Sequence, residues 1–430
     1  MSKNSIKQYF ILLLAVCTLY SCSTTKVTTP TLKITTSNTT AAQKKPYVVL
    51  ISLDGFRWDY VQRFKPPHLT AFIDSGVKAQ SLIPAFPSKT FPNHYSIATG
   101  MYPDKHGIIG NTFYNYEKEA TYRIGDRKTV EDGSFYKGTP IWIQANNAGM
   151  VTASYFFVGS EANIQGLHPT YFYPYDGSVT NKSRVDQVLK WLELPAVERP
   201  HLITMYFSDM DTTGHRYGPN NDEELKKTLF NLDTVLGDLF ERVNNTELPT
   251  HIIIVSDHGM LEVPIEKYIP TASIKNDSVY TVIDNGAIAS IHPKDIGQTD
   301  LILKELQEKA THYSVFRTAD TPYFENTPTS KNWGSLQVIP DEGYYFSSTR
   351  SIAAKKASTR KVFGHHGFDP KLKEMHGIFY AQGPSFKKGY THPSIENIHV
   401  YPLICKLLDL NTPKEIDGKL DAIKTVLKPE

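Results

Sequence analysis

Four short apolar runs stand out along the chain, each bounded by polar or turn-forming residues. They occupy positions 47–53, 202–207, 251–255 and 377–381 and are rich in β-branched and aromatic residues. Continuous apolar runs of this length are typical of strands that are buried on both faces of a parallel sheet. The pattern therefore predicts four buried strands of the parallel type.

Between these runs, apolar residues recur at helical spacing. One helix is predicted at about 185–192, ending before Pro195, and a longer one follows Asn221, with apolar residues toward the core from 225 to 243. A third is predicted near the C-terminus, with Ser394 as its cap. Strands that alternate with helices predict an α/β fold, with a mostly parallel central sheet and helices on both faces.

The pattern of predicted strands and helices changes between about 262 and 361. Three strand-like runs, at 279–283, 287–291 and 336–339, surround one predicted helix at 300–308. Residues with site chemistry return afterwards, at His366. We therefore predict a smaller α+β lobe that is inserted into the main domain.

The N-terminus has the pattern of an export signal. Lys3 and Lys7 precede an apolar run at 9–19, which is too short to span a membrane and leads into a lipobox-like sequence that ends in Cys22. We predict a signal peptide at 1–21, a lipid on Cys22 that anchors the protein to a bacterial membrane on the periplasmic or cell-surface side, a flexible tether at 22–45 and a catalytic domain at 46–430. The alternative is an ordinary signal peptide with a chance cysteine.

Net charge limits the expected binding partners, and the cysteine content limits the possible disulfides. The 46 basic and 44 acidic residues give a net charge of +2, so no nucleic-acid polymer is expected as a partner. Of the three cysteines, Cys17 would leave with the signal peptide and Cys22 would carry the lipid, so Cys405 has no disulfide partner. Packing and any bound metals must stabilise the mature chain, whose oligomeric state the sequence leaves open.

Aspartates follow three of the predicted strands. Asp54 comes directly after the first strand, Asp211 after the second and Asp257 after the third. One such aspartate is unremarkable, since Asp favours turns. In open α/β sheets, however, ligands bind in the crevice outside the carboxyl ends of the strands, where all three would meet.

Histidines accompany these aspartates. His258 directly follows the third of them, His215 lies four residues after the second, and His366 precedes the fourth strand. Each histidine alone is more often a hydrogen-bonded structural residue. Carboxylate plus imidazole without thiolate suits zinc, manganese or a similar ion, and the six residues are enough for two three-ligand sites with an open position each. Asp209 lacks the four-residue spacing and is interpreted as structural.

Thr90 is the candidate nucleophile. It lies just before Pro92, which suits the first turn of a helix, where polarity and free N–H groups favour an anion. A bound divalent cation would lower the pKa of the Thr90 hydroxyl, as it does for water. The alternative is that Thr90 only caps the helix.

Several segments resemble the nucleotide pyrophosphatase/phosphodiesterase family of the alkaline phosphatase superfamily. The resemblance covers nearly the whole chain from residue 46, in order. It lies in TFPNHY at 90–95, TGMYP at 99–103, HGIIGN at 106–111, TPIW at 139–142, YDGSV at 175–179, DHGM at 257–260, and the segments 211–219, 364–369 and 395–408.

The resemblance implies a two-zinc phosphodiesterase with an alkaline phosphatase-like fold. One zinc would be held by Asp54, Thr90, Asp257 and His258, and the other by Asp211, His215 and His366. Thr90 would attack phosphorus and form a covalent intermediate, which water would then release as a nucleoside monophosphate.

The same resemblance implies the contacts of a nucleotide-type substrate. Asn111 would donate its amide to a phosphate oxygen, and a neutral amide suits a diester, which carries one charge less than a monoester. Phe91 and Tyr175 would stack on the nucleobase. Phe157 stands where many relatives have the tryptophan of Trp-Pro-Gly-Ser, and is placed at the base pocket. Lys89, beside the nucleophile, is expected to point away from it.

Three rival functions predict different residues. An alkaline phosphomonoesterase of the same superfamily needs a basic residue at the terminal phosphate and no base clamp. A sulfatase needs a modifiable Cys or Ser followed by Pro and Arg in set spacing, which the segment around Thr90 lacks. A non-catalytic surface lipoprotein that binds a ligand or partner would lack Thr90 or several ligands. The choice among nucleoside triphosphates, dinucleotides, nucleotide sugars and cyclic dinucleotides as substrate stays open.

Overall fold

The computed structural model of the protein describes residues 34–429. The strands in this range are β1 Tyr47–Leu53, β2 Val77–Ala79, β3 Leu82–Ile83, β4 Thr112–Asn115, β5 Ala120–Arg123, β6 Thr152–Tyr155, β7 Tyr171–Tyr173, β8 Leu202–Phe207, β9 Thr250–Val255, β10 Leu261–Pro264, β11 Tyr268–Pro270, β12 Tyr280–Asp284, β13 Ala289–Pro293, β14 Tyr313–Arg317, β15 Leu336–Pro340, β16 Tyr345–Ser347, β17 Val362–His365, β18 Phe379–Gln382, β19 Tyr390–His392 and β20 Ile395–Glu396. The α-helices are α1 Tyr60–Phe64, α2 Pro67–Ser75, α3 Thr90–Thr99, α4 Pro103–His106, α5 Arg127–Val130, α6 Ile141–Asn147, α7 Asn181–Leu192, α8 Asp209–Tyr217, α9 Asp222–Asn244, α10 Thr299–Glu308, α11 Thr349–Ala357 and α12 Val400–Leu408.

Eight of the strands form a central sheet in the order β19-β2-β18-β9-β1-β8-β6-β7. β1 lies between β8 and β9 and is parallel to both, with Val48 opposite Leu202 on one side and His251 on the other. Every residue of β1 is buried, as its continuous apolar run predicts. The predicted α/β fold is confirmed.

Alternate residues of β1 enter two different cores. Val48 and Leu50 pack in one, which contains residues of α3, α6 and α12. Val49 and Ile51 pack in the other, which contains residues of α2, α7 and α9. Helices therefore cover both faces of the sheet, and burial of each such side chain stabilises the fold by about 1.5–3 kcal/mol. In a sheet covered in this way, ligands bind in the crevice at the carboxyl ends of the strands.

The direction of β18 corrects one prediction. The run at 377–381 is predicted as a parallel strand, whereas β18 pairs antiparallel with both β2 and β9. The chain enters this strand from the edge where β9 ends, since Ser256 N, just after β9, donates to Ile378 O, just before β18. A strand that starts at that edge must run in the opposite direction.

Capping side chains explain where two of the predicted helices start. The Asn221 side chain accepts from Glu224 N and starts α9. α7 begins at Asn181, before the predicted periodic run, because the Thr180 side chain caps it. Ser394 caps nothing: its Oγ lies 2.7 Å from Ser81 Oγ, and β20 and a 3-10 turn separate it from α12.

Residues between β10 and β17 leave the main sheet and build a small lobe. β10 and β17 pair antiparallel at its base, with Leu261 opposite His365. Above them lies a four-stranded sheet in the order β12-β13-β15-β14, whose own core includes Ile291, Val338 and, from α10, Leu306. The sequence prediction lacks β14, because only its alternate residues are buried and the apolar run is broken.

The segment before β1 packs against the body, which corrects the predicted end of the tether at residue 45. Asn38 is buried, and its Nδ2 donates to Ala196 O at 2.8 Å and to Arg199 O at 2.7 Å. Its Oδ1 accepts from Val151 N at 2.7 Å. These partners precede β6 and β8, so the segment lies at the amino ends of the strands. The predicted signal peptide, Cys22 and tether residues up to 33 lie outside the described residues.

Across residues 34–429, no helix combines the length and the apolar character that crossing a membrane requires.

Candidate active site

The predicted aspartates meet at one edge of the central sheet. Asp54 directly follows β1, while α8, which carries Asp211, follows β8 and Asp257 comes shortly after β9. Asp211 N donates to Asp54 O at 3.0 Å, so two of these loops touch. Gly55 permits this approach: its φ is +63°, and a Cβ there would lie 2.7 Å from Asp211 Cα.

Six side chains form two compact clusters. The first cluster is Asp54, Asp257 and His258, and the second cluster is Asp211, His215 and His366; within each, the potential ligand atoms all lie within 4.8 Å of one another. The rings of His258 and His366 stack with centroids 3.6 Å apart, so the two clusters adjoin. α8 places Asp211 and His215 one helical turn apart, with Asp211 Oδ1 3.3 Å from His215 Nε2.

All three histidines present the same nitrogen to their cluster. Nδ1 lies 2.9 Å from Gly259 O in His258, 2.7 Å from Gly364 O in His215 and 2.9 Å from Ser88 O in His366. A carbonyl oxygen only accepts hydrogen bonds, so each Nδ1 carries a proton and, in the neutral ring, each Nε2 keeps its lone pair. A backbone carbonyl that binds the outer nitrogen in this way is typical of metal-ligating histidines.

One oxygen of each carboxylate faces these lone pairs and has no hydrogen-bond donor among the described residues. Asp54 Oδ1, Asp211 Oδ1 and Asp257 Oδ2 are buried and accept no hydrogen bond from any described residue. Asp257 Oδ2 nevertheless lies 3.0 Å from His258 Nε2. Buried lone pairs that face each other are costly unless a cation lies between them. Both clusters therefore fit divalent cations.

Burial and neighbouring charges shift the pKa values of the site residues in different directions. Burial raises the pKa of Asp54 well above its usual range, and the charges of Asp257 and Asp211 raise it further. Burial would also raise the pKa of Asp257, but His258 and His94 hold it well below its usual range. For His366, burial lowers the pKa well below 6.5, which keeps the ring neutral, as a metal ligand must be.

Thr90 is the first residue of α3 and lies against the first cluster. Its Oγ1 is 3.3 Å from His258 Nε2. Lys89 occupies the cap position, with no side-chain capping bond, so the alternative that Thr90 only caps the helix is wrong. Pro92 lies in the first turn of the helix, as predicted, but Thr90 is part of that turn rather than the residue before it.

Asn111 takes up the backbone donor that the helix start offers. Phe91 N donates to Asn111 Oδ1 at 3.1 Å, Pro92 has no N–H, and Asn93 N donates to Lys89 O at 3.1 Å. The N–H groups of Phe91 and Asn93 are therefore not free, contrary to the expectation of free N–H groups at this helix start. Because the oxygen of the Asn111 amide is used, its NH₂ group is the part that remains to donate to a ligand.

Two residues that position the site are missing from the sequence prediction. Tyr206 Oη donates to Asp54 Oδ2 at 2.5 Å. His94 Nδ1 lies 2.9 Å from Thr90 O and 3.3 Å from Asp257 Oδ2, while its Nε2 lies 2.8 Å from Ser52 Oγ. His94 lies four residues after Thr90, a helical spacing that points to it; Tyr206, in an apolar strand, gives no such signal.

The predicted base-stacking residues occupy different environments. Phe91 is half-buried, with its ring centroid 6.2 Å from that of Tyr122. Tyr175 is 45% exposed and packs edge-on against Phe156 at 5.2 Å. Phe157 is only 1% exposed and packs into the core, so its predicted place in the base pocket is wrong.

Lys89 and Asp209 are engaged away from the two clusters. Lys89 is buried, and its Nζ donates to Tyr345 Oη of the lobe at 3.0 Å. Burial lowers the pKa of Lys89 to about 8, although the charges of Asp284 and Asp211 oppose this shift. Both carboxylate oxygens of Asp209 accept from Asn181 Nδ2 at 2.9 Å, which agrees with its structural interpretation.

The sequence matches the family model of type I phosphodiesterase / nucleotide pyrophosphatase over residues 48–369. It is 32% identical over 407 residues to the mouse ectonucleotide pyrophosphatase/phosphodiesterase family member 1, which covers 92% of this chain and 44% of that protein. It is 33% identical over 390 residues to the bovine bis(5'-adenosyl)-triphosphatase ENPP4, which covers 89% of this chain and 82% of that protein. The chain thus spans less than half the length of the first of these relatives.

Solved structures share the fold as well. Murine ectonucleotide pyrophosphatase/phosphodiesterase 5 superposes with a TM-score of 0.81 at 28% identity, over 89% of this chain and 100% of that chain. An inactive threonine-to-alanine variant of the murine protein in complex with AMP also superposes with a TM-score of 0.81 at 28% identity, over 90% of this chain and 100% of that chain.

Proposed function

This chain belongs to the type I phosphodiesterase / nucleotide pyrophosphatase family, and we propose that it is a two-zinc enzyme that hydrolyses phosphodiester or pyrophosphate bonds in nucleotides through Thr90. The observation that carries this proposal is the position of Thr90 Oγ1, 3.3 Å from His258 Nε2 and beside two adjoining carboxylate–imidazole clusters. Nucleotidyl transfer to Thr90 and then to water releases a nucleoside monophosphate.

The two clusters support a proposal for the metal ligands. The first cluster, together with Thr90, would hold one zinc, and the second cluster would hold the other. Zinc suits the mixture of imidazole and carboxylate, whereas magnesium and calcium favour oxygen ligands alone. When bound, the two ions would lower the pKa of the Thr90 hydroxyl and offset the charge on the phosphate.

The residues around Thr90 hold the nucleophile in place. His94 Nδ1 binds the Thr90 carbonyl, and the α3 backbone positions Oγ1 at the edge of the first cluster. Oγ1 attacks phosphorus, the bond to the leaving group breaks, and the leaving group departs with the electron pair. A water then breaks the new Thr90–phosphorus bond. The threonine-to-alanine variant that the structural neighbour's name calls inactive supports this role for Thr90.

The residues proposed to contact the phosphate favour a diester over a monoester. Asn111 Oδ1 accepts from Phe91 N at 3.1 Å, so the amide lies at the start of α3, and its free NH₂ group adds no positive charge. Lys89, the nearest basic residue in sequence, is hydrogen-bonded to Tyr345 instead. A neutral donor matches the single charge of a diester better than the double charge of a monoester.

Phe91 and Tyr175 would bind the base by stacking, and the AMP bound to the structural neighbour supports a nucleotide substrate.

In Phe91→Ala, we expect kcat/KM for the nitrophenyl ester of thymidine monophosphate to fall roughly tenfold, since base–aromatic stacking contributes about 1–3 kcal/mol. Steady-state kinetics on that ester and on methyl nitrophenyl phosphate, which has no base, test this. The second substrate should lose less than about twofold by the same argument. An equal loss for both would contradict a base-binding role.

A further inference from the structure

A cavity of about 240 Å³ lies between the β4–β5 hairpin and the inserted lobe. Its lining includes Thr112, Arg123, Lys275 and Asp284. Ligand pockets for whole drug-sized molecules are about 300–1,000 Å³, so this cavity suits one part of a substrate.

The cavity adjoins the phosphate site. Thr112 directly follows Asn111 in the chain, so their Cα atoms are about 3.8 Å apart. Asn285 of the lobe binds both backbone groups of Thr112: its Oδ1 accepts from Thr112 N at 3.0 Å, and its Nδ2 donates to Thr112 O at 2.8 Å. These two bonds fix the hairpin to the lobe and hold the cavity walls together.

Two basic side chains at the cavity have no acidic partner among the described residues. Arg123, opposite Thr112 in the hairpin, and Lys275 of the lobe are exposed, and neither side chain forms an ion pair with any residue in 34–429. Asp284 is already engaged, since its Oδ1 accepts from Gly286 N at 2.7 Å and its Oδ2 accepts from Thr271 Oγ1. With two cations and one carboxylate in its lining, the cavity carries a net positive charge.

The cavity and the base-stacking residues involve different parts of the fold. Tyr175 packs against Phe156 and Tyr206, at the β6 and β8 side of the central sheet. The cavity belongs to the lobe side, where the ring of Tyr345 stacks on His365 at 3.9 Å and His365 packs against His215 of the second cluster at 5.4 Å. A substrate whose base binds near Tyr175 would extend its other end toward the lobe.

We propose that Arg123 and Lys275 bind the phosphates of an anionic leaving group, and so favour nucleoside polyphosphates over nucleotide esters with an uncharged leaving group. This inference rests on the proposed function. Attack on the α-phosphorus of a nucleoside triphosphate breaks the bridging P–O bond and releases pyrophosphate with the electron pair. Arg123 suits this ligand because guanidinium binds phosphate oxygens in pairs.

The double variant Arg123→Ala/Lys275→Ala tests the proposal. We expect kcat/KM for ATP, followed as pyrophosphate release, to fall roughly tenfold or more, because each hydrogen bond between charged groups is replaced by water. For the nitrophenyl ester of thymidine monophosphate, which has no phosphate in its leaving group, we expect less than about a twofold change. The Ki of inorganic pyrophosphate against that ester should rise by a similar factor to the loss with ATP.

A matched control removes two exposed lysines from the outer helices. Lys190 lies on α7 and Lys227 on α9. Lys190→Ala/Lys227→Ala lowers the net charge by the same amount and should leave both substrates unaffected. Equal effects of the Arg123/Lys275 variant on ATP and on the ester, or no effect on either, would overturn the proposal.

A different result would contradict the proposed function itself. In that case, the wild-type protein would not hydrolyse the nitrophenyl ester at all. A wild-type protein that hydrolyses the ester, but neither hydrolyses ATP nor is inhibited by inorganic pyrophosphate, would leave the proposed function intact and overturn the leaving-group site.

Discussion

Replacing Thr90 with alanine should abolish nearly all hydrolysis of nucleotide esters, with kcat lowered by about 10³–10⁶-fold, as for other enzymes that lose a covalent nucleophile. The variant lacks Oγ1, which lies 3.3 Å from His258 Nε2 and is the atom proposed to form the covalent intermediate. Alanine is compatible with the first turn of α3, and the Thr90 side chain caps no backbone group. The loss should therefore come from chemistry rather than from unfolding.

Three measurements separate these causes. Single-turnover kinetics on the nitrophenyl ester of thymidine monophosphate give the loss in rate. The melting temperature should stay within a few degrees of the wild type, which corresponds to about 1 kcal/mol or less. Thr90→Ser, which keeps a hydroxyl in the same place, should retain part of the activity. Turnover by Thr90→Ala at the wild-type rate would rule out the covalent mechanism.

Asp211→Asn should remove one of the two proposed zinc ions and lower kcat/KM by at least about 100-fold, since even the partners of metal ligands contribute 10–100-fold. Asp211 Oδ1 lies 3.3 Å from His215 Nε2 and 3.9 Å from His366 Nε2 and accepts no hydrogen bond from the described residues. An amide in its place carries no charge to balance a cation. The first cluster contains no Asp211 atom and should keep its ion.

Asp209→Asn is the matched control. Asp209 lies two residues before Asp211 on the same helix, and its carboxylate binds Asn181 instead of the second cluster. Elemental analysis after dialysis against trace zinc should give two ions per chain for the wild type and for Asp209→Asn, and one for Asp211→Asn. Two tightly bound ions in Asp211→Asn would contradict the assignment of the second cluster.

The parts of the site that follow strands could be predicted from the sequence. Continuous apolar runs mark buried strands, and the residues just after them must lie at the sheet edge, which brought Asp54 and Asp257 together. Asp211 and His215 were predictable as a pair because a helical turn places residues four apart on one side. These inferences need only local spacing.

Contacts between distant segments could not be predicted in this way. Tyr206 reaches Asp54 because β8 lies next to β1, and Lys89 reaches Tyr345 because the lobe folds back over α3. Phe157 shows a different failure: Phe156 has a φ of +70°, which interrupts the strand geometry after β6. Of this pair, Phe156 packs against Tyr175, while Phe157 packs against His94 and Trp142 in the core.

The most direct test of the account compares two substrates of the zinc-loaded protein, the nitrophenyl ester of thymidine monophosphate and plain nitrophenyl phosphate. The neutral Asn111 amide and the base-stacking residues predict a strong preference in kcat/KM for the diester, and the two clusters predict that a chelator abolishes both activities and that zinc restores them. A preference for the monoester, or diester hydrolysis that survives removal of the metal, would contradict it.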